Sequence, residues 1–153
     1  MVAELHKTNT NLYEADYNLW VLETVAKLKN KDLDNLDWEN LIEEVEDLSR
    51  RDKRKLKSLL IKLCEHLLKL KYWDFEYEKN KGHWQSEVRN FRQLINMELE
   101  DSPSLRPYLE DNFTNCYHKG RLLVADRAQL PLSTFSEQPI ITLEQVLDED
   151  WLP

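Results

Sequence analysis

Apolar side chains recur every three or four positions along most of the chain, and no stretch alternates convincingly at period two. A helix turns once every 3.6 residues, so this spacing predicts amphipathic helices rather than strands. Tyr17, Trp20, Val21, Val25 and Leu28 form the first stripe and predict a helix from about Asp16 to Lys29. Asp16 suits its N-cap, because a short carboxylate can accept from first-turn N–H groups that lack partners. Asp37 fits the cap of a second helix, with Trp38, Leu41, Ile42, Val45 and Leu48 as its stripe. Residues 49–55 are all polar, and Ser49 with Asp52 fits a capping box, so a break or kink is expected there. The stripe resumes at Leu56, Leu59, Leu60, Leu63, Leu67 and Leu70, in a third helix ending near Tyr72.

Trp73–Gly82 is aromatic and charged and is expected to be a connection. A fourth helix carries Trp84, Val88, Phe91, Ile95 and Leu99 on one face, and Asp101–Pro103 stops it. Ser104 is expected to cap a fifth helix running to about Gln129. Pro107 is tolerable in its first turn, where an N–H would have no intrahelical acceptor. Thr142 and Gln145 match a capping box opening a short last helix to about Asp150. The pattern predicts an all-α fold, a single-domain helical bundle of five main helices plus a short C-terminal helix. It spans 1–153, with residues 1–11 as a flexible N-terminal tail. One core is expected to join Trp20, Trp38, Leu63, Leu67, Trp84 and Phe91.

Composition supports this picture. The chain has 153 residues, about one domain, and only two glycines, whereas hairpin turns depend on glycine. Cys64 and Cys116 match no metal or redox spacing and are expected to be buried thiols. No leader-like segment opens the chain and no apolar run approaches the ~20 residues needed to cross a bilayer, so a cytoplasmic protein without membrane contact is expected. Charge is segmented beneath a net of −8. Residues 1–48 hold 4 basic and 12 acidic groups, residues 49–99 hold 13 and 7, and residues 100–153 hold 4 and 10. Such a chain repels nucleic acid at long range while its middle segment attracts it.

With the helices placed, several segments resemble one family. They are Asp37-Trp38-Glu39-Asn40-Leu41-Ile42-Glu43-Glu44-Val45-Glu46-Asp47-Leu48, His66-Leu67-Leu68-Lys69, Ser102-Pro103-Ser104-Leu105-Arg106-Pro107-Tyr108-Leu109, Tyr117 with Gly120-Arg121, and Thr142 to Asp150. Their order resembles the bacterial family known as domain of unknown function twenty-nine, common in cyanobacteria. The resemblance implies an all-α fold and no established activity. The chain departs from the family pattern at Trp73-Asp74-Phe75-Glu76, where Pro and Arg are usual, at Ala128-Gln129-Leu130-Pro131, where a Thr-Gly-Leu-Pro-like turn is usual, and at Gln138-Pro139-Ile140, where a Cys-Pro-Tyr-like stretch is usual.

Candidate chemistry is sparse. His66 lies inside a strong helical pattern and could serve as a base, with Glu43 and Glu44 as carboxylate candidates, since an imidazole titrates near neutrality. A histidine hydrogen-bonded at a helix interface is the plainer role, and no metal or cofactor is expected. Arg50, Arg51 and Arg54 belong to a run of six basic residues in eight (50–57) that could grip phosphates, although the acids before it favour a solvated charged face. Arg89, Arg92, Arg121 and Arg127 could line an anion pocket, although a guanidinium tied to a carboxylate of another helix is the commoner use. Trp73 and Phe75, in the expected connection, and Trp151 are the candidates for an exposed contact patch. No phosphate loop, nucleophile elbow or zinc motif occurs. The expected function is a protein-binding accessory module, with a protein partner or self-association; the alternative is a small nucleic-acid-acting protein such as a ribonuclease-like toxin.

Overall fold

The computed structural model describes residues 12–153, so the expected tail at 1–11 lies outside the described residues. The fold is an all-α helical bundle. Its helices are α1 (Tyr17–Lys29), α2 (Trp38–Tyr72), α3 (Asp74–Asp101), α4 (Arg106–Ala128) and the short α5 (Leu143–Leu147). Residues 12–15 form a further helical turn, and 3-10 turns span Pro103–Leu105 and Leu132–Thr134.

Four long helices replace the five expected, because the second and third are one, and the helix after them begins earlier than expected. Residues 49–55 do not break the chain, and α2 is continuous for 35 residues. Those residues include no Gly or Pro, and Arg, Lys and Asp continue a helix at little cost while their charges stay in water. The polar stretch interrupts the apolar stripe and leaves the helix intact. The expected connection after Trp73 is also helical, because α3 begins at Asp74 with Asp74 and Glu76 in its first turn. Acidic groups there suit the positive end of the helix dipole.

Other termini follow local chemistry. Asp16 caps α1 by accepting from the Leu19 amide at 3.0 Å. Asp37 accepts from the Asn40 amide at 3.4 Å. Ser104 is not the cap expected of it: the chain passes from Ser102 through the Pro103–Leu105 turn into α4, with proline in the opening turn. Thr142 and Gln145 form the reciprocal capping box, with bonds of 3.2 and 3.0 Å. The helix it opens stops at Leu147, short of Asp150.

The chain divides into two compact units, one ending at Arg50 and the other comprising Arg51–Pro153. In the first, the Trp20 indole N–H donates to Asp37 Oδ2 at 3.2 Å, and Asn40 Nδ2 donates to the same oxygen at 2.7 Å. A carboxylate that caps one helix thereby anchors the indole of another. Tyr13 stands edge-on to Trp20 with ring centroids 4.9 Å apart. Few large apolar side chains of this unit are buried; Trp20 and Leu36 are.

The second unit holds an extended core. Leu56, Leu60, Leu63 and Leu67 of α2 are sealed against Trp84, Val88, Phe91 and Ile95 of α3 and Leu109, Cys116, Tyr117 and Val124 of α4. Gly120 sets how closely α2 and α4 approach. A Cβ there would lie 2.9 Å from both the Glu65 amide nitrogen and the Ile61 carbonyl oxygen. Backbone cannot yield at that distance, so only glycine fits. The expectation of one core joining all six named residues is corrected. Leu63, Leu67, Trp84 and Phe91 belong to this core, Trp20 is buried within the first unit, and Trp38 is 49% exposed. Cys64 and Cys116 are buried free thiols, as expected.

Candidate protein-contact face on the second helix

Helical spacing puts Trp38, Ile42, Val45 and Leu48 on one face of α2, at i, i+4, i+7 and i+10. A folded domain would ordinarily cover such a row, yet these side chains are 49%, 54%, 58% and 59% exposed. Glu39, Glu43 and Glu46, all exposed, run along one flank. At the end of the row Arg50 is held by Asp47 at 2.8 Å, Glu43 at 3.3 Å and Glu46 at 3.8 Å. The result is an apolar strip with an acidic margin. Trp38 is oriented by its indole N–H, which donates to the Leu33 carbonyl at 3.1 Å.

The carboxylates considered for catalysis have other partners. Glu44 accepts from the Tyr13 hydroxyl at 2.5 Å and the Tyr17 hydroxyl at 2.8 Å. The bond to Glu44, first, and then partial burial push the Tyr13 phenol up to about 12. Glu43 is exposed and belongs to the Arg50 cluster. Both residues lie in the first unit and His66 in the second, and each is accounted for by partners within its own unit.

His66 is buried on α2. Its Nδ1 lies 2.8 Å from the Lys62 carbonyl, an acceptor only, so Nδ1 carries the proton. The ring stands edge-on to Phe91 with centroids 5.2 Å apart. Burial, the dominant cause, holds the imidazole below its ordinary value, so it is neutral in the fold near pH 7. Among the described residues, no group of three or more His, Cys, Asp and Glu side chains is placed to hold a metal ion.

Beside it the buried Glu65 and Lys69 meet an exposed arginine in a charge cluster. Glu65 Oε1 is 2.9 Å from Arg127 Nε and 3.4 Å from Lys69 Nζ. It accepts no well-aligned hydrogen bond, so charge rather than bond geometry holds the group. Burial lowers the Lys69 pKa. The sequence signals were Arg127, expected to meet a carboxylate of another helix, and Glu65 with Lys69 at i, i+4, a spacing that usually means an exposed pair.

Two of the four arginines considered for an anion pocket, Arg92 and Arg121, serve the backbone. Arg92, 1% exposed, donates from Nε to the Val146 carbonyl at 2.7 Å and from Nη2 to the Gln145 carbonyl at 3.2 Å. It thus ties down carbonyls at the end of α5, where the Gln145 carbonyl also accepts from the Asp148 amide at 3.2 Å. Arg121 donates to the carbonyls of Phe135 and Leu132 at 3.1 and 3.0 Å, fastening the segment after α4. The expectation of carboxylate partners is corrected for both: the acceptors are main-chain oxygens. Arg127 does meet a carboxylate, that of Glu65.

The expected aromatic patch is not assembled as such. Trp73 stacks on Trp84 at 5.3 Å, and Trp151 packs against the core, so both are half-buried. Phe75 is 94% exposed, on α3 rather than in a connection. Arg51 and Arg54 are exposed on α2, and Lys57 of the same run is half-buried.

Among the described residues, no helix is long and apolar enough to cross a membrane. No curated protein and no solved structure matches the chain. The departures at 73–76, 128–131 and 138–140 do not take it outside its family. Domain of unknown function DUF29 matches residues 12–152, nearly the whole described chain, and the protein belongs to that family.

Proposed function

We propose that the chain is a protein-binding accessory module whose contact face is the strip Trp38, Ile42, Val45 and Leu48. The observation that carries this reading is the exposure of a continuous apolar row on a well-formed helix. Covering half of each side chain is favourable by roughly 1 kcal/mol per residue. The acidic margin selects a partner segment whose own apolar row is flanked by Lys or Arg. Two buried free thiols, Cys64 and Cys116, fit a reducing compartment, and the proposed location is the cytoplasm. The test compares the native protein with an Ile42→Glu/Val45→Glu variant. The partner captured from native cells, once purified, binds wild type directly in solution, and the variant loses that binding without a fall in melting temperature. A partner held equally well by the variant refutes the strip as the contact face. Light scattering on the purified chain shows whether that partner is a second copy.

A further inference from the structure

A second surface has opposite character and lies wholly in the Arg51–Pro153 unit. Arg54, Lys57 and Lys62 of α2 and Lys119 of α4 line a groove of about 330 Å³, whose apolar lining includes Ile61 and Leu123; no carboxylate lines it. The chain carries 29 acidic and 21 basic residues, so a cation would ordinarily find a carboxylate nearby. Several do: Arg50 meets three, Lys55 meets Glu98, Arg106 meets Glu110 and Glu144, and Lys69 and Arg127 meet Glu65, while others meet main-chain oxygens or aromatic rings. Among the described residues, none of the four groove cations has an ion-pair partner. Four like charges converging without compensation cost stability unless an anion occupies the space between them.

The walls of the groove are fixed. Gly120, next to Lys119, brings α4 against the α2 backbone at Ile61 and Glu65. From Arg54 to Lys62 the α2 wall is about 12 Å long at 1.5 Å per residue. That is short for a nucleic-acid track, and the acidic segments before and after the middle of the chain repel a long polyanion. A small ligand with several negative charges and a partly apolar body fits the charge, the length and the floor.

We propose that this groove binds a nucleoside triphosphate-class ligand, its phosphates on Arg54, Lys57, Lys62 and Lys119 and its nucleoside over Ile61 and Leu123. The full chain is titrated at physiological ionic strength with ATP and with a ten-nucleotide single-stranded RNA, by calorimetry. The expected result is saturable one-to-one binding of ATP. It weakens at least tenfold in Lys57→Glu/Lys119→Glu and is unchanged in Lys79→Glu/Lys81→Glu, which makes the same charge change on exposed α3 surface; melting temperatures verify that both variants fold. Absence of saturable ATP binding overturns the proposal, as does binding that the double variant retains. RNA bound more than tenfold tighter than ATP also overturns it, in favour of a nucleic-acid surface.

Discussion

The two ends of α2 carry the same apolar period and have opposite fates. From Leu56 to Leu70 the row is sealed by α3 and α4, with Leu56, Leu60 and Leu63 wholly inaccessible. From Trp38 to Leu48 an apolar row on the same helical face stands about half exposed. Periodicity thus states that a face is apolar and leaves open what covers it. One half contributes to stability within the chain, and the other stands half exposed.

The largest effect that tests this contrast is expected at Gly120. Gly120→Ala forces a methyl into the α2 backbone and should cost about 3 kcal/mol or more, at the upper end of overpacking penalties. Urea unfolding measures it, and a loss below 1 kcal/mol would show that the crossing can open.

Next comes a matched pair on the two halves of the row. Leu63→Ala leaves a cavity in the sealed half and should cost about 2–5 kcal/mol. Leu48→Ala in the bare half should stay within about 0.5 kcal/mol. Comparable losses in the two variants would mean that the bare half is covered in the protein in solution.

A smaller, pH-dependent effect is expected at His66. Its folded pKa is lowered, so the unfolded chain binds the proton more readily. Stability is therefore full above the ordinary value near 6.5 and declines as pH falls below it. His66→Gln cannot titrate, and its denaturation midpoint relative to wild type should rise between pH 7 and 5. A difference independent of pH would place the ring in water.

The smallest effects concern the helix ends. Lys31 and Gln129 both adopt left-handed backbone, at φ 55° and 54°. Replacing either with glycine should stabilise by roughly 0.5–1 kcal/mol, less the contribution of any side-chain bond given up, such as that from Gln129 Nε2 to the Asp126 carbonyl. Thermal melts of Lys31→Gly and Gln129→Gly check both units by the same chemistry.

Much of the fold was legible in the sequence. The α1 cap at Asp16, the capping box at Thr142 and the row from Leu56 to Leu70 involve residues within a few turns of each other, and their chemistry is local. The wrong divisions came from treating a lapse in the apolar period as a lapse in the helix, at 49–55 and again at 73–82. Arg92 and Arg121 illustrate the other limit. That a guanidinium drawn out of water will be tied down follows from its charge, whereas the acceptors lie 53 to 54 residues away for Arg92 and 11 to 14 for the half-buried Arg121.

Sequence alone determined the helical class, most helix ends and the identity of the apolar faces, because backbone hydrogen bonding and amphipathic spacing depend on near neighbours. The tertiary structure alone decided which faces are covered, that Gly120 is the point of closest approach, and that Glu65 draws in Lys69 and Arg127. It also decided that Arg54, Lys57, Lys62 and Lys119 converge on one groove. These outcomes depend on which distant segments meet, and an identical apolar or basic run has no physical means of specifying its partner by itself.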